Sequence, residues 1–348
     1  MQAFIAKVGK GPRASKDLTW DEAKQAMRLL IEGKASPAQV GAFVLAMRMK
    51  LESVSELAAF TSAAREYVAP IRITTKRPLV DVGTYAGKQD TFHALIGGAI
   101  IAAAAGAAVL LHGIDGTPGR VTTGAVLAAL GIPHDRVPDR VAADVQTQDF
   151  GYLDLALYHP PLAKFLQLRD ELGVRTLFHP VAKMLNPAHA PAQVIGITHP
   201  PYFEKTAEAL RMLGSRRALV VRGVEGEPEL SIAAATRVLD LTGEQVLPLT
   251  LNPTDIGLPR GSFRDMAGFP PAQVSQEAVL VRRIMRNEVR GAQRDWIVQN
   301  GALLLYAAGV SSSISGAVRI AQQAVESGGA AQKLADLTVS TGKKESAA

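Results

Sequence analysis

Residues 79–131, LVDVGTYAGKQDTFHALIGGAIIAAAAGAAVLLHGIDGTPGRVTTGAVLAALG, decide the fold that we predict for this chain. The short apolar run 79–82 predicts a buried strand, and the small apolar residues that follow predict a long helix over about 90–106. Residues 109–111 predict a second strand, which a glycine-rich loop joins to another helix. Strands that alternate with helices in this way are typical of a parallel sheet covered by helices.

The two glycine-bearing loops of this stretch each end a strand and open a helix. Backbone N–H groups and the positive ends of two helices should therefore meet at one edge of the sheet, which is a favourable place for a phosphate group. The alternative is that the glycines serve only to let the chain turn tightly as it leaves the sheet.

The composition of the chain limits its class and location. Its 348 residues are 47% hydrophobic, enough for one large domain or two modest ones, and it contains no cysteine, which excludes disulfides and thiolate metal sites. We expect a cytoplasmic location, because the N-terminus lacks the apolar core of a signal peptide. Residues 94–111 are apolar, but three glycines among them favour a buried helix and strand over a membrane span, so we expect no membrane partner.

The first part of the chain predicts a small helical subdomain, which we place at residues 1–75. Three capping-box patterns predict helix starts: Thr19 with Glu22, Ser36 with Gln39 and Ser53 with Glu56. The rest, residues 76–340, predicts an α/β domain with a mainly parallel central sheet flanked by helices, and residues 341–348 a disordered tail.

Basic residues cluster in two places within a chain of formal net charge +6. Such an excess often serves only solubility, and clustering is what makes an anionic partner worth considering. The first cluster lies in KVGKGPRASK, which predicts a loose loop, and the second in VRRIMRNEVRGAQR, where four arginines would share one helical face if the helix passes Gly291. Each is either a solvated surface or a surface that tracks phosphates. The candidate nucleic-acid-binding residues are Lys7, Lys10, Arg13, Lys16, Arg282, Arg283, Arg286, Arg290 and Arg294.

The order of the loops resembles the anthranilate phosphoribosyltransferase family, glycosyltransferase family 3. That family usually carries GTGGD, then NTFNIS, then KHGN, and here Gly83-Thr84, Thr91-Phe92 and His112-Gly113 match. The resemblance implies a helical subdomain that a segment near 158–175 completes, and a pocket for phosphoribosyl pyrophosphate (PRPP). The residues implied for this pocket are Gly83, Thr84, Lys88, Thr91, His112, Gly113, Arg120, Thr122, Thr123 and Arg169.

Several residues that contact substrate in the family are replaced. Residues 85–87 read Tyr-Ala-Gly in place of two glycines and an aspartate, and Leu111 replaces the lysine of KHGN. Pro228-Glu229 stands where the family has an Asp-Glu pair that holds magnesium, so Glu229 is the remaining candidate ligand of that pair, with Glu225 or Glu227 as substitutes for the missing carboxylate. We expect no cofactor, and magnesium only if the chain is an enzyme.

These departures resemble a divergent, YbiB-like branch of the family, whose members look like homodimeric nucleic-acid binders. The shared features are the basic N-terminal arm, Gly87-Lys88-Gln89 and Arg120-Val121. This resemblance implies a homodimer, formed through the helical subdomain, that binds nucleic acid, preferably single-stranded, without sequence preference. The alternative is an active phosphoribosyltransferase that uses PRPP and anthranilate or another nitrogen acceptor, and a scaffold without a ligand is a third reading.

Overall fold

Four helices open the chain in the structure, a computed structural model that describes residues 1–11, 13–69, 71–84 and 87–339. They are α1 (Gln2–Val8), α2 (Trp20–Ile31), α3 (Pro37–Lys50) and α4 (Val54–Arg65). The side chains of Thr19, Ser36 and Ser53 each accept a hydrogen bond from the backbone three residues on, and each capping box is reciprocal. The three predicted helix starts are therefore confirmed.

The remaining elements alternate between strand and helix before a helical C-terminal part. The strands are β1 (Leu79–Thr84), β2 (Ala108–Gly113), β3 (Phe150–Asp154), β4 (Ala192–Gly196), β5 (Arg217–Val221), β6 (Thr236–Thr242) and β7 (Gln245–Leu251). The helices are α5 (Ala94–Ala104), α6 (Thr123–Leu130), α7 (Pro138–Gln148), α8 (Leu155–Tyr158), α9 (Pro160–Leu172), α10 (Phe178–Lys183), α11 (Pro200–Met212), α12 (Val274–Met285), α13 (Ala292–Ala308), α14 (Ile314–Glu326) and α15 (Gly329–Val339). Short 3₁₀ turns cover Val224–Gly226, Pro253–Ile256, Phe263–Met266 and Pro271–Gln273.

The strands form one seven-stranded sheet in the order β3-β2-β1-β4-β5-β6-β7. The first five of these are mutually parallel, and β6 pairs antiparallel with both β5 and β7. The predicted mainly parallel α/β sheet is thus confirmed. Because β1 lies between β2 and β4, the loops that leave these three strands meet at one edge of the sheet.

Each face of the sheet carries its own apolar core, as the alternation of strand side chains requires. Val80 and Val82 pack with α5 and α13 on one face, whereas Leu79 and Leu110 pack with α4 and α10 on the other. The small residues of α5 serve close helix packing, since a Cβ at Gly98 would lie 2.6 Å from the backbone nitrogen of Gly301 on α13. No helix among the described residues is long and apolar enough to cross a membrane.

The condition for one shared arginine face, a helix that passes Gly291, is not met. Helix α12 ends at Met285 and α13 begins only at Ala292. Asn287 and Gly291 adopt positive φ values of 59° and 88°, which a right-handed helix does not allow. The five arginines therefore lie on two helices and the turn between them.

Candidate functional site

The loop after β1 presents a group of backbone donors that the chain fills with its own carboxylate. Glu225 accepts hydrogen bonds from the backbone N–H groups of Gln89 (3.1 Å), Asp90 (3.2 Å) and Thr91 (3.0 Å), and from the Thr91 hydroxyl at 2.8 Å. Burial favours a raised pKa for Glu225, but these donors outweigh it and hold the pKa below its ordinary value. We call these donors of residues 89–91 the anion nest. Residues 85 and 86 of the same loop lie outside the described residues.

Lys88, predicted to contact phosphate, is buried in an ion pair instead. Its ammonium contacts the Glu229 carboxylate, donates to the carbonyl of Phe92 at 2.7 Å and lies 5.0 Å from the ring centroid of Trp296. Both charged side chains are fully buried. The expectation that Lys88 faces a ligand is wrong, because its side chain turns into the core toward Glu229.

The Lys88–Glu229 ion pair also determines whether magnesium could bind at Glu229. One carboxylate oxygen of Glu229 accepts from the backbone N–H of Leu95 at 2.9 Å, and the other is taken by Lys88. Pro228 supplies no second carboxylate, and the described residues contain no group of three or more acidic or histidine side chains that could hold a metal. A hard divalent cation wants several oxygen ligands, so these residues do not fit magnesium as they are arranged.

His112, at the end of β2, is also part of the buried framework. Its Nε2 lies 3.1 Å from the Asp81 carboxylate, and its Nδ1 lies 3.1 Å from the hydroxyl of Tyr158. The Thr84 hydroxyl donates to the His112 carbonyl at 3.0 Å. Gly83 lies against the backbone of Lys183, where a Cβ would come within 3.0 Å of a carbonyl oxygen. Gly83, Thr84, His112 and Gly113 are all buried at the ends of β1 and β2.

The second glycine loop is tied to the first. Arg120 donates to the carbonyl of Gly87 at 2.9 Å and to the side-chain oxygen of Gln89 at 3.1 Å. At the start of α6, the Thr122 hydroxyl accepts from the backbone N–H of Ala125, and Thr123 beside it is buried. The Asp115 carboxylate accepts from the backbone N–H of Gly124 at 3.1 Å and from the Tyr152 hydroxyl at 3.2 Å. The start of α6, like the anion nest, already holds an internal carboxylate.

An open cavity of about 590 Å³ lies where α3 and the loop after β4 approach each other. We call this cavity and a neighbouring one of about 490 Å³, which shares His179 and contains Arg169, the cationic cleft. The larger cavity is lined by Arg48, Arg175, Thr176, His179, Pro180, Lys183, Gly196, Ile197, Thr198, His199, Tyr202, Glu225 and Gly226.

The arginines of the cleft have no acidic partners in the part of the chain that the structure describes, whereas the buried Lys183 is attracted by Glu227. Among the described residues, none of Arg48, Arg169 and Arg175 forms an ion pair. Arg48 approaches Nε2 of His199 at 3.4 Å, and Arg175 lies 3.4 Å from the hydroxyl of Thr198. Burial lowers the pKa of the Arg175 guanidinium, and repulsion from Arg169, Arg120 and Arg48 adds to the effect. The cleft therefore favours an anionic ligand.

Two other titratable groups of the cleft respond to the same surroundings. Burial lowers the pKa of His179 to about 3, and Arg169, Arg175 and Lys183 repel its protonated form. Burial likewise lowers the pKa of the Lys183 ammonium to about 8, although it donates to the carbonyl groups of Gly196 and Gly226. At neutral pH the positive charge of the cleft thus comes from its arginines and Lys183, and the Glu225 carboxylate adds one negative charge.

The predicted basic arm is only partly free. Lys7 belongs to α1 and forms an ion pair with Glu22, so placing it on an unpaired loop was wrong. Lys10, Arg13 and Lys16 are exposed and form no ion pair within the part of the chain that the structure describes. Pro12, between them, lies outside the described residues.

Most of the predicted arginines in 282–294 already have partners. Arg282 donates to the carbonyl of Ala129 at the end of α6, and the buried Arg294 pairs with Asp295 at 3.2 Å and Glu326 at 2.7 Å. Arg283 and Arg290 lie 3.8 Å from Glu288 and Glu326, respectively. Among the five, and within the described residues, only Arg286 has neither an ion pair nor a side-chain hydrogen bond.

Sequence reasoning missed Arg48 and Arg175 as a pair. They are brought together with His199 from α3, the segment before α10 and the start of α11, so no local spacing connects them. Glu225 was considered only as a substitute metal ligand, and its role in the anion nest depends on a contact across 134 to 136 residues of sequence.

Comparisons with known proteins agree on the family. The helical bundle domain of the glycosyl transferase family matches residues 2–68, and the a/b domain of that family matches residues 76–331. The anthranilate phosphoribosyltransferase of Moorella thermoacetica is 34% identical over 336 residues, which cover 96% of each chain. That of Haloferax volcanii is 34% identical over 334 residues, covering 96% of this chain and 98% of the relative.

Solved structures show the same similarity. The crystal structure of anthranilate phosphoribosyltransferase from Thermus thermophilus has a TM-score of 0.85 and 31% identity, covering 97% of this chain and 98% of that one. The enzyme from Saccharomyces cerevisiae in complex with PRPP and Mg has a TM-score of 0.80 and 20% identity over 97% and 98% of the two chains, which shows the shared fold alone. The chain therefore belongs to the glycosyl transferase family that includes the anthranilate phosphoribosyltransferases.

Proposed function

We propose that this chain binds nucleic acid without sequence preference, through phosphate contacts in the cationic cleft. The observation that carries the proposal is the group of Arg48, Arg169 and Arg175, which share the cleft and form no ion pair within the described residues. Guanidinium groups pair well with phosphate oxygens, because their N–H donors match the geometry of an oxyanion. A phosphate backbone would relieve the repulsion between these cations.

We also propose that the N-terminal arm extends this surface. A groove lined by Gly9, Gly11 and Ser15 on one side and by Met49 and Lys50 on the other places the arm at the end of α3 that carries Arg48. Lys10, Arg13 and Lys16 can therefore follow a strand that leaves the cleft. The half-buried ring of His199 lines the cleft, and stacking of unpaired bases on aromatic rings favours single-stranded nucleic acid.

A second candidate is transfer of the ribosyl phosphate of PRPP to anthranilate or another nitrogen acceptor. The comparisons favour this candidate, because relatives at 34% identity over nearly the whole chain are anthranilate phosphoribosyltransferases. The contacts at the site favour nucleic-acid binding, because Glu225 fills the anion nest and Lys88 is buried in an ion pair with Glu229. Losing one charge-stabilising donor typically costs about a hundredfold or more in rate. Transfer would require Glu225 to leave the nest and the buried pair to open.

The nucleic-acid proposal is tested by fluorescence anisotropy with a single-stranded oligonucleotide at 50 to 200 mM salt. Each lost phosphate contact should reduce the salt slope by about 0.7, so the double variant Arg48→Ala/Arg175→Ala should lower the slope by about 1.4 and weaken binding at least tenfold at low salt. The control is Arg72→Ala/Lys76→Ala, which removes two exposed charges outside the cleft. Salt-independent binding, or wild-type affinity in the cleft variant, would contradict the proposal.

The transferase candidate has its own measurement. Calorimetry with PRPP in the presence and absence of Mg²⁺ asks whether the donor binds, and an assay with anthranilate asks whether a ribosylated amine forms. Metal-dependent binding together with turnover at ordinary enzymatic rates would establish transfer and displace the first proposal.

We also propose that the protein forms a homodimer through its helical subdomain. Leu45 and Met49 on α3 are 49% and 73% exposed, and they line an apolar groove of about 1060 Å³ together with Ile5 and Val8. Apolar side chains gathered at one surface favour a protein partner, and a second copy brings the same surface. We also propose a cytoplasmic location, which suits the cysteine-free sequence.

A further inference from the structure

An open cavity of about 710 Å³ lies at the edge of the sheet opposite to the cationic cleft. Gln193 at the start of β4 and Arg216 just before β5 line this cavity, whereas Gly196 at the end of β4 lines the cleft. Because β4 and β5 are parallel, their starts lie together at one edge of the sheet and their ends at the other. Arg65, the last residue of α4, completes the wall. We call this cavity the edge pocket.

The edge pocket carries positive charge without a matching carboxylate. Arg65 and Arg216 form no ion pair within the described residues, and none of the described residues that line the pocket is acidic. Nε and Nη2 of Arg65 donate to the carbonyl of Met184 at 3.2 and 2.7 Å, which fixes the position of the guanidinium. Burial lowers the pKa of Arg65, and attraction by the Asp81 carboxylate opposes this effect only in part. The pocket therefore favours a small anion.

The pocket also contains a buried acceptor without a donor. The side chain of Gln193 is buried, and its Nε2 donates to the hydroxyl oxygen of Ser215 at 2.8 Å. Its Oε1 has no hydrogen-bond partner within the described part of the chain. Buried polar atoms of proteins nearly always have a partner, and both Gln193 and Ser215 line the pocket, so a bound molecule can supply the missing donor.

The donor of such a molecule is better neutral than charged. An ammonium group in the pocket would lie among the guanidinium groups of Arg65 and Arg216, which repel it, and no lining carboxylate would offset this repulsion. A hydroxyl group donates to an amide oxygen without that penalty. The two features of the pocket together indicate a ligand that combines an oxyanion with a hydroxyl group.

The loop before β4 holds its side of the pocket in one conformation. Nδ2 of Asn186 donates to the carbonyl of Ala190 at 2.9 Å, and Oδ1 of Asn186 accepts from the backbone N–H of Ala190 at 2.8 Å. Asn186 and His189, which both line the pocket, have φ values of 48° and 51°, and asparagine tolerates this left-handed region better than most residues. A wall that is already ordered lowers the entropic cost of binding a ligand.

We propose that the edge pocket binds a small hydroxycarboxylate, whose carboxylate pairs with Arg65 and Arg216 and whose hydroxyl group donates to Oε1 of Gln193. The planar guanidinium group matches a carboxylate with two parallel hydrogen bonds. Arg65 belongs to the helical bundle domain and the other two residues belong to the a/b domain, so the ligand would connect the two domains. The proposal goes beyond both candidate functions and uses no residue of the cationic cleft.

The test is isothermal titration calorimetry of the full-length protein with racemic malate, and with succinate as the probe that lacks only the hydroxyl group. We expect malate to bind at least about tenfold more tightly than succinate, because succinate leaves Oε1 of Gln193 unpaired. Arg216→Ala removes an exposed guanidinium of the pocket and should weaken malate binding by about tenfold or more. Arg319→Ala is the matched control, since it removes an exposed arginine of α14 outside the pocket, and it should bind like the wild type.

A second variant tests the hydroxyl contact itself. Gln193→Met keeps the length of the side chain but removes the amide, so malate and succinate should bind to it with equal affinity. Circular dichroism establishes that this variant with a changed buried residue is folded. The comparison of the two probes and the effect of Arg216→Ala do not depend on it.

Three results would overturn the proposal. They are no binding of malate at millimolar concentration, equal affinity of the wild type for malate and succinate, and wild-type affinity for malate in Arg216→Ala. Malate binding that disappears in Arg48→Ala/Arg175→Ala but persists in Arg216→Ala would place the ligand in the cationic cleft and would also overturn it. Oligonucleotide binding is measured separately through the cleft variants, so failure of that proposal would leave this test unaffected.

Discussion

Lys88 shows how far a motif can mislead at the level of one residue. The sequence places it directly after Gly87 in a loop expected to hold phosphate, and its positive charge led us to expect a contact with that phosphate. Its actual partner, Glu229, lies 141 residues further along the chain, and nothing in the local pattern identifies it. A buried ammonium without a partner is so costly that the nearest buried carboxylate decides where the side chain goes.

Removing the charge of Lys88 should therefore affect stability first. Lys88→Met leaves the Glu229 carboxylate buried with only the Leu95 N–H as a donor, and we expect it to lower the free energy of unfolding by about 3–5 kcal/mol. Urea unfolding followed by circular dichroism measures this change. Lys34→Met is the control, because the exposed Lys34–Glu32 pair is screened by solvent and should contribute little to stability. If Lys88→Met lowers the free energy of unfolding by less than about 1 kcal/mol, the Lys88–Glu229 ion pair does not stabilise the loop after β1.

At the level of elements, the capping-box patterns predicted helix starts correctly, whereas the arginine spacing in 282–294 did not predict a shared face. The starts of α2, α3 and α4 were predicted because a capping box joins residues only three apart. The arginine spacing in 282–294 required an uninterrupted helix, and Gly291 already made that uncertain. The break at 286–291 sends Arg294 into the protein, where Asp295 and Glu326 neutralise it.

The two kinds of arginine in this segment should behave differently. Arg294→Ala removes charged hydrogen bonds to a buried aspartate, so we expect the free energy of unfolding to fall by roughly 2 kcal/mol while oligonucleotide affinity changes less than twofold. The triple variant Arg283→Ala/Arg286→Ala/Arg290→Ala changes exposed side chains and should alter stability by at most about 0.5 kcal/mol. Urea unfolding and anisotropy measure both quantities.

The affinity of the triple variant tests the predicted role of this segment. Weaker binding with a shallower salt slope would support a phosphate-contacting role for these arginines. Unchanged affinity would confine phosphate binding to the cleft and the N-terminal arm. A loss of affinity in folded Arg294→Ala would contradict the inaccessibility of this guanidinium.

At the scale of the whole molecule, the sheet and its covering helices were predictable. The spacing of apolar residues and the order of strands and helices can both be read from the sequence. The cationic cleft was not, since it gathers side chains from α3, the segment before α10 and the start of α11. Unpaired charge is also a property of the folded chain alone: the sequence contains 32 acidic residues, and only the structure shows which arginines they leave unpaired.

The proposed dimer can be tested at this scale through the apolar groove on α3. Light scattering after size-exclusion chromatography should give the wild type twice the 36.8 kDa mass of one chain. Leu45→Lys/Met49→Lys places two ammonium groups in the groove, where dimerisation would have to desolvate them, and should yield monomers. Leu247→Lys is the control, because Leu247 is 55% exposed on β7, outside the groove. A wild type that stays monomeric at tens of micromolar, or a groove variant that still dimerises, would remove the helical subdomain from the interface.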